Sequence, residues 1–343
     1  MIIFFYPYRF GIQNGANRRI ELLQRILRKN NVDCEIFHLD KLLKILTPFQ
    51  KLMYRIGLCR FVFFLVILKL LKRQNVKIIS EVIFAPTWSN NFFLQLHDLK
   101  AFEKKQSRGG LFRKYIYLLF IKLSSNIIVG ANFVKKDVHK QCNFPLNKIH
   151  VIPNGISDSR LNLASSFKES ERVYDFLYLS GFAKHKNHEL LINALPSGSK
   201  TCLIGQELGE LKVVKDLINE RKDEIKVDIF LDVKNDSELF ALISTSRYCV
   251  FTSSYEGFGI PILEYAALNK YILASNIPAF IEMSDYIDEF FEVDDINGLA
   301  TSLEKLNRNN YKNNNKRSLS LYDSMYSEDN IFKELFKLIN MKS

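Results

Sequence analysis

Short apolar runs alternate with helix-like segments along almost the whole chain, and this alternation limits the fold more than any other feature of the sequence. Runs of strand length that are separated by helices are typical of parallel α/β sheets, and not of all-α or all-β folds. In the first half the predicted strands are residues 2–6, 34–38, 81–85, 92–96, 127–130 and 149–152. In the second half they are residues 174–179, 201–205, 226–231, 248–252 and 271–274. We therefore predict an α/β protein with two parallel sheets.

The length of the chain and a polar stretch near its centre predict two domains. A chain of 343 residues exceeds one ordinary core, since domains hold about 100 to 200 residues. Residues 157–172 are polar with weak periodicity, and we interpret them as a linker. The prediction is two Rossmann-like domains that face a cleft, followed by a C-terminal helix that packs back on the first domain. Their expected bounds are residues 1–160, 161–322 and 323–343.

Charge and composition narrow the class of protein and its partners. Hydrophobic residues make up 47% and charged residues 25% of the chain, as in soluble globular proteins. The formal net charge of +11 indicates an anionic partner, which could be nucleic acid, a phosphorylated substrate or an anionic membrane. The five scattered cysteines favour reduced thiols in a reducing compartment. The longest apolar run, residues 61–68, is far shorter than the ~20 residues that span a bilayer.

Residues 41–73 form a basic, apolar segment that differs from the rest of the chain. It holds no acidic residue and eight basic ones: Lys41, Lys44, Lys51, Arg55, Arg60, Lys69, Lys72 and Arg73. Basic amphipathic segments of this kind bind anionic membrane surfaces. Two ordinary helices of the first domain with a solvated basic face would give the same sequence pattern. We favour peripheral contact with a membrane.

Residues 253–264, SSYEGFGIPILE, predict a binding site for an anion. They follow an apolar strand and contain a glycine-containing loop, with Pro261 near the start of a helix. Glycines let the backbone approach a ligand, and the free N–H groups of a helix start attract phosphate. Glu256 lies in the loop, where it would meet a sugar hydroxyl or a developing positive charge. Glu264 lies on the helix, where it would accept hydrogen bonds from ribose hydroxyls.

The string EGFGIPILE after a buried strand resembles the E-x7-E signature of the retaining glycosyltransferase family 4, the group 1 glycosyl transferases. Three further segments match that family in the same order, and the order is harder to obtain by chance than any one match. They are LQLHDL (94–99), KIHVIPNGI (148–156) and YLSGFAKHKN (178–187). The resemblance covers most of the chain and implies the GT-B fold.

The resemblance also implies roles for particular residues. His97 would lie beside the donor sugar and, with Glu256, form the catalytic pair. Lys186 would neutralise the donor phosphates as a point charge. The family often has arginine where this chain has Phe182. Either Lys184 would substitute for it, or one phosphate contact would be missing. The donor site would be completed by one glycine of the first-domain loop and by residues of the second-domain motif: Gly15, Gly257, Phe258, Gly259, Ile260 and Glu264.

The expected reaction retains the configuration of the anomeric carbon. Glu256 would stabilise an oxocarbenium-like transition state or contact the sugar hydroxyls, through a covalent double displacement or through attack from the same face. We prefer same-face attack, in which the leaving phosphate takes the proton of the acceptor. No two aspartates are separated by a single residue, so the sequence has no Asp-x-Asp motif to hold a cation against a diphosphate. We therefore expect no metal or other cofactor, and lysines and helix dipoles would stabilise the leaving group.

The expected partners are a UDP- or GDP-sugar and a lipid-linked or oligosaccharide acceptor. A basic amphipathic surface favours assembly of a bacterial surface glycan, such as O-antigen or capsule, by a cytoplasmic protein at the inner face of the cell membrane. Two alternatives remain. One is another GT-B enzyme, such as a sugar-nucleotide epimerase or a phosphorylase. The other is a non-catalytic protein that binds membranes or nucleic acid, although the sequence lacks a nucleic-acid motif and we expect no nucleic-acid partner.

Overall fold

The structure is a computed structural model, in which the chain folds into two compact units. The structure describes residues 1–6, 15–55, 58–73, 75–99, 110–167, 171–231, 233, 235–309, 321 and 323–341. Unit 1 comprises Met1–Gly155 and Glu328–Ser343, and unit 2 comprises Ile156–Ser327.

Unit 1 is built on a parallel sheet of six strands, in the order β2-β1-β3-β4-β5-β6. The strands are β1 (Ile2–Phe5), β2 (Cys34–Phe37), β3 (Lys77–Ser80), β4 (Phe92–Leu96), β5 (Asn126–Val129) and β6 (Ile149–Val151). The helices are α1 (Gly15–Lys29), α2 (Leu39–Ile45), α3 (Pro48–Arg55), α4 (Cys59–Leu71), α5 (Gly110–Leu123) and α6 (Asn132–Cys142). Strands β1, β4 and β5 are buried along their whole length, which is why they read as continuous apolar runs.

Unit 2 repeats this architecture, with the strand order β12-β11-β10-β7-β8-β9. The strands are β7 (Tyr174–Leu179), β8 (Lys200–Ile204), β9 (Lys226–Phe230), β10 (Ser246–Phe251), β11 (Tyr271–Ser275) and β12 (Glu289–Phe291). The helices are α7 (Asp158–Ser166), α8 (His188–Ala194), α9 (Leu211–Glu220), α10 (Asp236–Ser244), α11 (Ile260–Ala267), α12 (Pro278–Ile281) and α13 (Ile296–Arg308). All the strand pairs are parallel, and the prediction of an α/β chain with two parallel sheets is confirmed.

The last helix, α14 (Glu328–Ile339), returns to unit 1. Its apolar side chains Ile331, Leu335 and Leu338 are buried in the core beside α1 and the sheet. At the helix start Glu328 pairs with Lys29 of α1 at 3.2 Å. The sequence at the end of the chain therefore completes the core of unit 1.

Two of the predicted elements are wrong. The third strand is residues Lys77–Ser80 and not 81–85, because the Ser80 hydroxyl donates to the Phe5 carbonyl and accepts from the Val82 amide, and the strand ends there. The predicted linker, residues 157–172, contains helix α7, which Ser157 caps by accepting from the Arg160 amide. Its polar composition conceals the apolar pair Leu161 and Ala164, which the helix buries.

Two smaller differences concern the start of helix α6 and a short strand. Helix α6 begins at Asn132, and Ala131 occupies the cap position before it. Strand β12 was not predicted, because its three residues are too few for an alternating pattern to be visible.

Candidate functional site

Two loops of unit 2 lie side by side because their strands are neighbours. Strand β10 pairs in parallel with β7, so the segments that follow these strands emerge at the same edge of the sheet. After β7 the chain forms a short 3₁₀ turn, Lys184–Lys186, and passes through Asn187 at a φ of 57° into α8. After β10 it forms the loop 252–259 and then α11. The structure thus brings together the second-domain segments that the sequence analysis singled out.

Hydrogen bonds join these two loops. The Thr252 hydroxyl lies 3.1 Å from the Lys186 carbonyl and 3.0 Å from the Asn187 carbonyl. The Ser254 amide donates to the His185 carbonyl at 2.9 Å. Because backbone carbonyls of one loop are held by the other, the lysine turn and the glutamate loop keep a defined spacing.

Lys186 and Glu256 form an ion pair at the centre of this arrangement. The Lys186 Nζ lies 2.6 Å from the Glu256 Oε1, and the two side chains are only 18% and 14% exposed. The Ser253 hydroxyl donates to the same oxygen at 2.8 Å. The Tyr178 hydroxyl, which is fully buried, lies 2.8 Å from the Ser253 hydroxyl. Hydrogen bonds therefore run from Tyr178 through Ser253 to the Glu256 carboxylate and hold it in position.

The chemistry of Tyr178 is consistent with this supporting role. Burial raises the pKa of Tyr178, and the nearby charge of Glu256 raises the pKa further. The hydroxyl therefore keeps its proton, and it acts as a neutral hydrogen-bonding group. Sequence reasoning missed both Tyr178 and Ser253, although Ser253 is the first residue of the motif.

The start of α11 offers backbone N–H groups next to the ion pair. Gly259 precedes the helix at a φ of 113°, and a Cβ at this position would lie 3.0 Å from the ring of Phe280. Glycine is therefore required here. Ile260 and Pro261 begin the helix. Pro261 has no N–H group and the Ile262 amide donates to the Gly259 carbonyl at 3.0 Å, so the N–H group of Ile260 is the one at the helix start that the helix itself does not engage. Phe258 is buried with its ring 5.6 Å from that of Tyr326, so any contact with a ligand at this position would be made by its backbone.

Glu264, the second glutamate of the motif, is fully buried and pairs with an arginine. Its Oε1 lies 2.9 Å from Nη1 of Arg160, and Nη2 of the same arginine lies 3.1 Å from Asp236. The guanidinium also lies over the ring of Phe240 at 5.4 Å. Sequence reasoning missed Arg160, although a glutamate on an apolar helix is itself a signal that a cation lies nearby. The role of Glu264 at a ribose remains a prediction.

The other predicted residues of the lysine turn have different surroundings. Lys184 is exposed, and within the described part of the chain it makes no ion pair. Phe182 is fully buried and stacks on His188 with 4.6 Å between ring centroids. Burial lowers the pKa of His188 to about 3, so this ring is a neutral core residue. The side chain at position 182 therefore lies in the core, whereas that of Lys184 is exposed to solvent.

His97 of unit 1 directly follows β4, and it contacts a carboxyl group that the sequence analysis did not select. Glu81 directly follows β3, the neighbour of β4, so the two residues meet at the same edge of the sheet. The Nε2 of His97 and the Oε1 of Glu81 are hydrogen-bonded, and Gln95 donates to the same oxygen at 3.2 Å. The His97 side chain is 37% exposed and that of Glu81 is 15% exposed.

A buried arginine lies near this pair. Arg19 of α1 donates to the Ile152 carbonyl at 2.6 Å and to the side-chain oxygen of Asn154. Burial lowers the pKa of Arg19 to about 10. Burial raises the pKa of Glu81 to about 7, and burial together with Arg19 lowers the pKa of His97 to about 4. Each shift favours the uncharged form of the residue concerned.

Gly15 and the basic segment complete the predicted features. Gly15 is the first residue of α1, while residues 11–14 of its loop lie outside the described residues. In the segment 41–73, every basic residue except Lys41 is exposed, and Lys41 pairs with Glu35. Helix α3 of this segment buries no residue. Within the described residues no helix is long and apolar enough to cross a bilayer, and no group of three or more His, Cys, Asp or Glu is arranged to hold a metal ion.

Comparison with known proteins gives matches over nearly the whole chain. Residues 160–318 match the family model described as Glycosyl transferases group 1, and residues 13–160 match the model described as Glycosyltransferase Family 4. The O-antigen chain mannosyltransferase RfbU of Salmonella typhimurium is 27% identical over 62% of this chain, and the match spans only 60% of that protein. The O-antigen biosynthesis glycosyltransferase WclY of Escherichia coli is 26% identical over 79% of this chain and 76% of its own length.

Solved structures show the same fold. A glycosyltransferase from Rickettsia africae superposes with a TM-score of 0.72 at 18% identity, over 100% of this chain and 99% of its own. Anabaena HepE, in complex with UDP and glucose, superposes with a TM-score of 0.68 at 14% identity, over 99% of both chains. At such identities the likeness concerns the fold, while the two family models concern the sequence itself. The chain therefore belongs to the group 1 glycosyltransferases and has the GT-B fold.

Proposed function

We propose that this protein is a retaining, metal-independent hexosyltransferase that moves a sugar from a nucleotide-sugar donor to a bacterial surface glycan such as O-antigen or capsule. The observation that carries the proposal is the ion pair between Lys186 and Glu256, which lies beside the start of α11. A cation, a set of free amide groups and a fixed carboxylate are then within one site. Such a site suits a diphosphate that is linked to a sugar.

The donor would bind through its phosphates. Lys186 would turn from Glu256 to a phosphate oxygen, and the amides at residues 257–260 would donate to the same group. Lys184, which is exposed on the same turn, would contribute a second positive charge. The complex of HepE with UDP and glucose supports a UDP-sugar as the first donor to test, with a GDP-sugar as the second.

In the proposed reaction, the Glu256 carboxylate would act after Lys186 has moved from it to a phosphate. Once the lysine engages a phosphate, the Glu256 carboxylate is held by Ser253 and faces the sugar without its cation. It would stabilise positive charge at the anomeric carbon as the bond to the phosphate oxygen breaks. The acceptor hydroxyl then attacks from the same face, and its proton passes to the leaving phosphate. His97 would contact the donor sugar.

The proposed acceptor is a lipid-linked glycan at the inner face of the cell membrane. Relatives that act in O-antigen synthesis, and the capsular polysaccharide biosynthesis glycosyltransferase CapH of Staphylococcus aureus at 23% identity, support a surface glycan. Exposed apolar side chains Phe49 and Leu52 lie beside exposed basic ones on α3. On α5, Tyr115, Leu119 and Leu123 are exposed at a spacing of four residues. These two helices would contact an anionic bilayer.

A thermal-shift screen of UDP, GDP and their sugars tests the donor site. A ligand that binds only the native state raises the melting temperature, so at least one nucleotide series should raise it. The same shift should persist in excess EDTA, because no metal is proposed to bridge the phosphates. If no nucleoside diphosphate or nucleotide sugar shifts the melting temperature, the proposal is wrong.

Incubation with the donor alone separates transfer from the other GT-B activities. A transferase should leave the donor sugar unchanged until an acceptor is added, apart from slow hydrolysis. An epimerase would instead convert the donor in the absence of any acceptor. With an acceptor, the nuclear magnetic resonance spectrum of the product should show the anomeric configuration of the donor, and inversion would contradict the retaining mechanism.

Flotation with anionic vesicles tests the membrane contact. A Lys51→Gln, Arg55→Gln variant should bind roughly 30-fold more weakly, since each basic residue near an anionic surface contributes about 1 kcal/mol. The matched control is Lys212→Gln, Lys215→Gln, which removes two exposed lysines from α9 of unit 2. If both variants lose binding equally, net charge is responsible and the proposed surface is wrong.

A further inference from the structure

The hydrogen bond between Glu81 and His97 leaves one ring nitrogen of the histidine free for a ligand. Nε2 is engaged by the carboxyl group of Glu81. Nδ1 has no hydrogen-bond partner among the residues that the structure describes, and over a third of the side chain is exposed. The ring therefore has one nitrogen turned to the protein and one that a ligand can use.

The groups around the pair oppose a net positive charge on the ring. Arg19 of α1 is buried, and it acts electrostatically on both residues of the pair. Tyr6, which directly follows β1, interacts with Glu81 and lowers its pKa, and Gln95 of β4 donates to Glu81. Arg19 is the only full charge among these described neighbours. A second cation on His97 would be repelled by it, whereas a proton on Glu81 would not.

We propose that Glu81 is the positioning residue of His97, and that the protonation of Glu81 decides whether Nδ1 of His97 offers a lone pair or an N–H group. When Glu81 is ionised, it accepts from the Nε2–H group, and Nδ1 carries a lone pair. When the pair takes up one proton, that proton resides at Nδ1, and the Nε2 proton passes along the hydrogen bond to Glu81. One proton is gained in total, and the ring is neutral in both states.

The direction of the pKa shifts agrees with this exchange. Burial raises the pKa of Glu81 to about 7, so the carboxyl group changes its protonation close to neutral pH. Burial lowers the pKa of His97 to about 4, so the ring stays uncharged over the same range. The consequence for catalysis rests on the proposed function, in which His97 contacts the donor sugar. A lone pair at Nδ1 would accept from a sugar hydroxyl, and an N–H group would donate to one.

Nuclear magnetic resonance of the histidine rings tests the proposal without any substrate. The full chain is labelled with ¹⁵N-histidine, and long-range proton–nitrogen spectra are recorded from roughly pH 5.5 to 8.5, the range in which a histidine pair changes protonation. Loss of signals in His97→Gln assigns the ring. His150 of unit 1 is the internal control, because its Nε2 faces the amide of Asn126 at 3.1 Å, and an amide does not titrate. Because donor and acceptor are absent, this result is independent of whether the protein transfers a sugar.

The wild type should change from the Nδ1–H to the Nε2–H form of His97 as the pH rises, with a midpoint near 7. In Glu81→Gln the ring should keep one tautomer across the range, while His150 behaves as in the wild type. A doubly protonated His97 ring in the wild type would overturn the proposal, as would an unchanged tautomer switch in Glu81→Gln. The wild-type spectra alone decide the first point if Glu81→Gln does not fold.

Discussion

The carboxyl groups of the two units have different partners. In unit 2, Glu256 pairs with Lys186 at 2.6 Å and Glu264 pairs with Arg160 at 2.9 Å. In unit 1 the direct partner of Glu81 is His97. An ammonium or guanidinium group supplies a fixed positive charge, whereas a histidine shares a proton that can move between the two residues. Unit 2 is thus suited to hold a charged ligand, and the pair in unit 1 is suited to respond to pH.

The largest effect is expected when the cation of Glu264 is removed. In Arg160→Met the carboxylate stays buried without its partner, and the free energy of unfolding should fall by about 3–5 kcal/mol. Urea denaturation measures this change. The double variant Arg160→Met, Glu264→Gln should recover part of the loss, because the buried charge is then absent.

Arg308→Met is the matched control for this prediction. It breaks the exposed pair with Glu304, and exposed pairs contribute only about 0–1 kcal/mol. Equal losses in Arg160→Met and Arg308→Met would mean that Arg160 does not stabilise a buried charge.

The next effect concerns transfer and not stability. Glu256→Gln keeps the size of the side chain but removes the charge that is proposed to face the anomeric carbon, so kcat should fall by about 10²–10³-fold. Nucleotide binding should be retained, since Lys186 is then freed from its partner. Steady-state kinetics and calorimetry measure the two quantities. Glu304→Gln, on the exposed face of α13, serves as the control. Full activity of Glu256→Gln would contradict the proposed role of Glu256 in stabilising positive charge.

The smallest effect is a change in how stability depends on pH. Since the pKa of Glu81 is raised from 4.5 to about 7, this group stabilises the fold below pH 4.5 and loses that contribution as pH rises through 7. His97, whose pKa is lowered from 6.5 to about 4, has the opposite dependence. In the wild type the two slopes oppose each other between pH 4.5 and 6.5.

His97→Gln removes one of these opposing slopes. Its free energy of unfolding should therefore decrease relative to the wild type as pH rises from about 4 to 6.5, by at most about 1.4 kcal/mol per pH unit. Urea denaturation at a series of pH values measures the difference. A difference that stays constant with pH would show that the fold does not lower the pKa of His97.

The same contrast explains which parts of the site could be predicted from sequence. The lysine turn and the glutamate loop are continuous strings, so both were recognised before the fold was known. Arg160 and Glu264 are 104 positions apart, and their meeting depends on how α7 packs against α11. No local pattern contains that information, and an isolated arginine in a polar stretch looked like part of a linker.

Glu81 was missed for a more local reason. The apolar run 81–85 was assigned to a strand, which placed Glu81 inside an element and not at its end. In the structure β3 ends at Ser80, and parallel pairing with β4 then sets Glu81 against His97. Residues that end adjacent parallel strands meet, so an error of four residues in one strand was enough to conceal the pair.

Titration calorimetry of UDP and GDP with the wild type and Lys186→Gln tests the central claim most directly, which is that the Lys186 and Glu256 pair forms the phosphate site. A charge-assisted hydrogen bond contributes about 1.5–3 kcal/mol, so the variant should bind the preferred diphosphate at least about tenfold more weakly. Lys212→Gln, which removes an exposed lysine of α9, should bind as the wild type does. Equal affinity of the wild type and Lys186→Gln for both diphosphates would contradict the account.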